Sequence, residues 1–365
     1  MKVYIFGAGA SKGSQVHTVV TESPVTNDLF NSQYADRAKE VGLSTKDLES
    51  LAKDVSGYES LEDYLTERWL NVQKLKKPWQ KESEMRLFGR IALYVWNLLR
   101  AVSDTYDETN LYKVFANKLA KSEEEFGLVN FNYDILLDKA LSEVFGAEFW
   151  TLDDCLNNDL NIVYLKPHGS VNWLIPKRKD DRGISEEGRF DMRVRYDLAS
   201  SLIFSAPPLQ VTDTKVVEVN HPDLNQLHPL VSSRFGNQHF YPLIFLPLTI
   251  KEYKFVTGFY EKIIAAGKEL FSKADEVYLI GYKARDEIIK EMLKSCKEET
   301  ILHVVGNGNA EKYSQEILKK IPTLVKGINL DTGFAGYLGI KDDDSGDFNF
   351  AETEEVEYDP YDKVG

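Results

Sequence analysis

Two stretches place polar, proton-carrying side chains directly after apolar runs. Asn132 and Asp134 follow Phe126-Gly-Leu-Val-Asn-Phe131, and His168 sits between Pro167 and Gly169 after Asn161-Ile-Val-Tyr-Leu-Lys166. An amide can orient a water or a sugar hydroxyl without adding charge, and a carboxylate can steady a nearby cation. A histidine can take up a proton near neutral pH. Asn and Asp also cap helices well, so Asn132 and Asp134 have a second, structural meaning that spacing alone does not separate from the first. His168 lies in a loop rather than on an apolar face, where binding and catalytic residues concentrate. Its alternative is a turn histidine bonded to backbone. Lys283, Arg285 and Asp286 follow Gly281 and read as the solvated start of a helix. Asn307, in Gly306-Asn-Gly-Asn309, either faces a ligand or simply makes a turn.

The element that must position these groups begins at residue 2. Lys2-Val-Tyr-Ile-Phe6 is too short for a helix and stops at a glycine, so it reads as a buried strand. The turn that follows, Gly7-Ala8-Gly9-Ala10-Ser11, lets the backbone bend sharply and leaves no side chain in a ligand's way. A helix after it would point free N–H groups at phosphate oxygens. The spacing is G-x-G-x-x-x-G, with Lys12 where the dinucleotide fingerprint has its third glycine. Taken by itself the stretch fits a tight turn without ligand equally well.

Further apolar strands follow at 126–131, 148–152, 161–166, 242–247, 276–281, 300–305 and 327–330, with amphipathic helices between most of them. That alternation predicts an α/β fold with a parallel sheet covered on both faces by helices. Ligands of such sheets sit at the carboxyl ends of the strands. Five of these strands end in small or polar residues, at Gly7, Asn132, His168, Gly281 and Gly306. Their convergence is the main pointer to a site. From Asn27 to Lys121 the pattern is almost wholly helical, with Leu87, Ile91, Val95, Leu98, Leu99 and Val102 on one face. A βαβ unit needs about thirty residues, so this stretch is a large helical insertion. The expected organisation is one domain over 1–340, with the insertion at about 27–121 and a strand-and-loop excursion at about 175–241. An acidic tail, 341–365, has the composition of a disordered segment.

The formal net charge of −14 argues against direct nucleic-acid binding. Much of it belongs to the tail, which carries ten acidic residues against two lysines. Only Cys155 and Cys296 are present, which excludes a disulfide scaffold and a four-cysteine zinc site and fits a reducing compartment. No apolar run approaches a membrane span, and a strand starting at residue 2 leaves no room for a signal peptide. The expected location is the cytoplasm.

Five blocks come in the order found in sirtuins: Gly7-Ala-Gly-Ala-Ser11, Asn130-Phe-Asn-Tyr-Asp134, Lys166-Pro-His-Gly-Ser170, Leu279-Ile-Gly-Tyr282 and Val304-Val-Gly-Asn307. More closely, the chain resembles the sirtuin-like NAD hydrolases of bacterial anti-phage defence. The match spans about residues 1–310 and is dense only in these blocks. The resemblance implies a Rossmann-like domain that takes NAD+ as substrate and needs no metal. Gly7, Ala8, Gly9, Ala10 and Ser11 would contact the pyrophosphate and ribose. Asn132 and His168 would be the catalytic pair, with Asp134 beside them. Gly281, Tyr282 and Asn307 would lie toward the adenosine, and Pro24-Val25-Thr26 beside the nicotinamide, with Thr26 a contact residue. Protein-deacylating sirtuins carry a zinc ribbon, which this chain cannot make, and Phe131 stands where they have glutamine. The implied reaction is therefore hydrolysis of NAD+ to nicotinamide and ADP-ribose, rather than deacylation. The alternative is a regulatory subunit that binds NAD or ADP-ribose without turnover. Relatives are restrained until triggered, so a homo-oligomer, or a partner such as a HerA-like ATPase or a short Argonaute, is expected to control it.

Overall fold

The computed structural model describes residues 1–15, 21–25, 28–149, 152–156, 160, 162–176, 217–218, 240–244, 246 and 257–340. Six strands build one parallel sheet: β1 (Lys2–Phe6), β2 (Phe126–Asn130), β3 (Val163–Leu165), β7 (Glu276–Ile280), β8 (Ile301–Val305) and β9 (Val325–Leu330). Their spatial order is β3-β2-β1-β7-β8-β9. Counting only these six, the order is the 3-2-1-4-5-6 of the dinucleotide-binding Rossmann fold. In both β1 and β2 four successive residues are buried, so both faces are covered, which is why these strands read as unbroken apolar runs.

Register makes the strand ends level. Phe6 pairs with Asn130 on one side and Ile280 on the other, and Ile280 pairs with Val305. The residues that follow, Gly7, Phe131, Gly281 and Gly306, therefore share one edge. The direction of strand order reverses between β1 and β7, and that crevice is where such sheets bind ligands.

Three antiparallel strands make a second, smaller sheet, with β4 (Gly169–Pro176) between β5 (Val217–Glu218) and β6 (Phe240–Ile244). The expected strand at 242–247 is thus β6, outside the parallel sheet. The strand expected at 148–152 is not formed: Glu148 and Phe149 are irregular and a short helix, Leu152–Leu156, begins where it should end. Phe149 is buried from an irregular segment, so its apolar side chain reaches the core without a strand. Apart from the residues of β4 to β6, the excursion at 175–241 lies outside the described residues, as does the tail at 341–365.

The insertion folds as helices Ala35–Glu40, Thr45–Val55, Leu61–Lys74, Pro78–Ser103 and Leu111–Lys121. Ser44 and Asp47 form a capping box at one start, and Pro78 occupies the first turn of another, where its missing N–H costs nothing. The long helix buries Ile91, Val95, Leu98, Leu99 and Val102, and each such side chain contributes about 1.5–3 kcal/mol. It is fixed to both layers below it. Trp96 donates from Nε1 to the Val171 carbonyl of β4 at 2.8 Å, and Ser103 Oγ accepts the Ile135 N–H at 3.1 Å. The helical layer therefore sits over the edge where the strands end. No helix among the described residues is long and apolar enough to cross a membrane.

Candidate active site

The site begins with two turns that touch backbone to backbone. Gly7 N–H donates to Ile280 O at 3.0 Å, and Gly9 N–H to Gly281 O at 3.1 Å. A Cβ on Gly7 would stand 2.7 Å from Gly281 O, and one on Gly281 would stand 2.2 Å from Ala10 N. Gly281 is also left-handed, with φ +59°. The glycines of the first turn are thus required by the second turn, whatever ligand lies above them.

Asn132 is held by the helix after β1. Its Nδ2 donates to Gly7 O at 3.0 Å and Ser11 Oγ at 2.9 Å, with Tyr112 Oη at 3.4 Å. Ser11 Oγ donates to Asp134 Oδ2 at 2.9 Å, and Asp134 Oδ1 accepts the Leu136 N–H at 3.2 Å. Burial pushes the Asp134 carboxyl above its ordinary value, against the pull of Lys166 and these hydrogen bonds. Local support and positioning therefore coexist: Asp134 holds the N–H of Leu136, the first residue of the helix Leu136–Phe145, from two residues ahead, while Asn132 keeps an amide on the cavity wall with both N–H bonds committed.

His168 meets a partner that its sequence neighbourhood does not announce. Its Nε2 lies 2.7 Å from Asp286 Oδ2, and both residues are buried. Asp286 Oδ1 accepts the Ile288 N–H at 3.0 Å, capping Glu287–Leu293. The cap fixes the carboxylate, and the carboxylate fixes the imidazole. Phe131 lies edge-on to the His168 ring at 4.9 Å, and Tyr133 stacks on it at 5.8 Å. Tyr282 stacks on Phe131 at 4.3 Å, so its ring belongs to the His168 side of the site. Burial, then the Asp286 and Glu62 carboxylates, hold the Tyr133 and Tyr282 phenols well above their ordinary value.

Beneath these groups lies a buried ion pair. Lys166 Nζ is fully enclosed and lies 2.9 Å from both Asp138 oxygens, 2.9 Å from Asp134 O and 2.8 Å from Ser170 Oγ. Tyr164 Oη donates to Asp138 Oδ2 at 2.9 Å and accepts from Asn130 Nδ2 at 2.9 Å. Lys166 thus ties the turn carrying Asp134 to the turn carrying His168.

A cavity of about 390 Å³ opens above this floor, within the range of small-molecule sites. It runs across the strand ends at the crevice between β1 and β7. Asn132, His168, Asp286, Phe131 and Tyr282 line one end, roofed by Leu29, Glu62, Val95 and Leu99 of the insertion. Gly306, Asn307, Asn309 and Tyr313 line the other, with Gly7, Ala8, Gly9 and Gly281 between. Asp134, Pro24 and Val25 also reach it. Ala10 and Ser11 are buried behind the wall, and Thr26 lies outside the described residues. Asp286, Lys166, Glu62 and Tyr112 were not singled out by sequence as site residues. Asp286 meets His168 across 118 residues, Lys166 meets Asp138 across 28 and Tyr112 meets Ser11 across 101, while Glu62 comes from a separate layer, and no local pattern joins them. Among the described residues no group of three His, Cys, Asp or Glu side chains could hold a metal ion.

No protein-family model matches this chain, and no curated protein sequence matches it.

Proposed function

We propose that this protein is an NAD+ glycohydrolase, cleaving the nicotinamide–ribose bond to give nicotinamide and ADP-ribose. The observation that supports it best is the buried His168–Asp286 pair beside Asn132, at the crevice end of a 3-2-1-4-5-6 sheet. A dinucleotide laid along the cavity has its pyrophosphate over Gly7 to Gly9, its adenosine toward Asn307 and its nicotinamide ribose near His168. Nicotinamide leaves as a neutral pyridine, so no general acid is required, unlike in ordinary glycosidases. What the site must supply is stabilisation of an oxocarbenium-like ribose and a placed water. With Asp286 at Nε2, the basic nitrogen of neutral His168 is Nδ1, which takes the proton from the water or a ribose hydroxyl. Asn132 contributes its amide oxygen as the orienting group, since both its N–H bonds are used. A pure binder would need neither device, which favours the enzyme over the non-catalytic reading.

The resemblance in five blocks supports placing this activity in anti-phage defence in the cytoplasm, restrained until oligomerisation or a separately encoded partner triggers it. The test is product analysis by chromatography with Asn132→Ala and Asp286→Asn beside the wild type. Nicotinamide and ADP-ribose should form in equal amounts, with turnover lowered at least tenfold in both variants. Undiminished turnover in both would remove this site from the reaction.

A further inference from the structure

The roof of the cavity carries a carboxylate that the hydrolysis above does not use. Glu62 stands in the first turn of Leu61–Lys74 and is half-buried on the cavity wall. Its acidic neighbours are both committed: Arg285 Nη1 donates to Asp63 Oδ2 at 3.0 Å, and Nη2 lies 3.5 Å from Glu59 Oε2. Glu62 itself has no hydrogen bond or ion pair among the described residues. The Arg285 bridge ties this turn of the helical layer to the loop that bears Tyr282 and Asp286. Glu62 is thereby held near Tyr133 and Tyr282, the two rings that pack around His168 and Phe131. Tyr282 adds a second unsatisfied group, for its hydroxyl oxygen is buried with no hydrogen-bond partner. A buried orphan hydroxyl is costly to leave unpaired, so a ligand that meets it gains affinity.

The other charges of this end do not cancel Glu62. Asp286 is engaged by His168 and its helix, Asp134 by Ser11 and its helix, and Arg285 by Asp63 and Glu59. Lys283 lies 5.9 Å from the Tyr313 ring, at the far end of the cavity. An uncommitted negative charge among aromatic faces is a receptor for a flat cation. We propose that Glu62 is a further ligand-facing residue, which selects the positively charged, oxidised nicotinamide ring over the neutral reduced one. The inference rests on the dinucleotide reading above and adds the charge state of its ligand. Opposite unit charges about 6 Å apart in a part-solvated cleft, with an effective dielectric of about 40, change affinity about tenfold.

The experiment is calorimetric titration with a carbocyclic analogue of NAD+, which keeps the pyridinium charge and cannot be cleaved, and with its reduced form. The wild type should bind the oxidised form about tenfold more tightly. Glu62→Gln should bring the two affinities within about twofold, by weakening the oxidised form alone. Unchanged binding of the reduced form also shows that the variant is folded. A preference that persists in Glu62→Gln, or is missing from the wild type, overturns the role of Glu62 and leaves the dinucleotide reading standing. If the wild type binds neither form, both fall together.

Discussion

Replacing Lys166 with methionine keeps most of the side-chain length and removes the ammonium that bridges the two turns of the site. In the wild type that ammonium has four oxygens within 2.9 Å, and the side chains of the pair are 0% and 1% exposed. The methionine thioether supplies no donor, so the variant strands a carboxylate that retains only its Tyr164 hydroxyl and local backbone. Breaking a buried pair from one side costs about 3–5 kcal/mol. Unfolding entropy of about 2.1 cal/mol/K per residue over 365 residues converts this to a fall in Tm of about 4–7 °C. The loss should also depend on pH. Burial already holds the Asp138 carboxyl above its ordinary value while Lys166 pulls it down, so removing Lys166 raises it further. A carboxyl protonated in the folded state but ionised in the unfolded one binds more protons when folded, so stability falls as pH rises through that window. The deficit against wild type should widen by up to about 1.4 kcal/mol per pH unit between pH 5 and 7. Denaturant melts at both pH values measure it, and Lys166→Met/Asp138→Leu should recover most of the loss. A deficit below about 1 kcal/mol, or one equal at pH 5 and 7, would refute the buried pair as the floor of the site.

Two other perturbations follow from the geometry. Gly281→Ala puts a Cβ 2.2 Å from Ala10 N at φ +59°, and should cost about 2–4 kcal/mol while spreading the two turns apart; an unchanged melting midpoint would contradict that packing. His303 stacks on Tyr278 at 4.3 Å, its Nδ1 accepts the Ile328 N–H at 3.1 Å, and burial holds its pKa below the ordinary value. The unfolded chain then takes up the proton first, so stability should fall as pH drops below about 6.5. His303→Asn keeps an acceptor near the Nδ1 position without titrating in this range. Its Tm should be flatter than wild type between pH 7 and 5.5, and an identical slope would clear His303 of the effect.

The parallel strands were largely legible because both faces are covered, which turns each into an apolar run ending at a small or polar residue. The helical insertion was legible for the same physical reason at a different period, and Pro78–Ser103 buries the face its spacing implied. The strand order was not, since pairing β1 with β7 is a contact across more than 270 residues. Asn132 and His168 stood out by type and by their place after a strand. Asp286 did not, because a carboxylate ahead of Glu287 looks like any helix cap until the fold brings His168 to it. Lys166 was hidden differently: lysine at a strand end ordinarily reaches water, and the counter-charge that makes its burial tolerable, Asp138, stands 28 residues earlier in the first turn of Leu136–Phe145. The 148–152 run misled because so short an apolar stretch fits a strand and an irregular lead into a short helix alike, and Phe149 is buried without strand pairing.

Proton NMR of the nicotinamide resonances of NAD+ mixed with the purified protein reports binding and cleavage in one tube, and tests the glycohydrolase reading most directly. The expected result is broadening of the NAD+ lines on addition of wild-type protein, followed by slow growth of free nicotinamide equal to the NAD+ lost, the residual turnover of the restrained enzyme. His168→Ala should broaden the lines without releasing nicotinamide. Sharp, unchanging NAD+ lines with the wild type, or release that proceeds undiminished in His168→Ala, would contradict it.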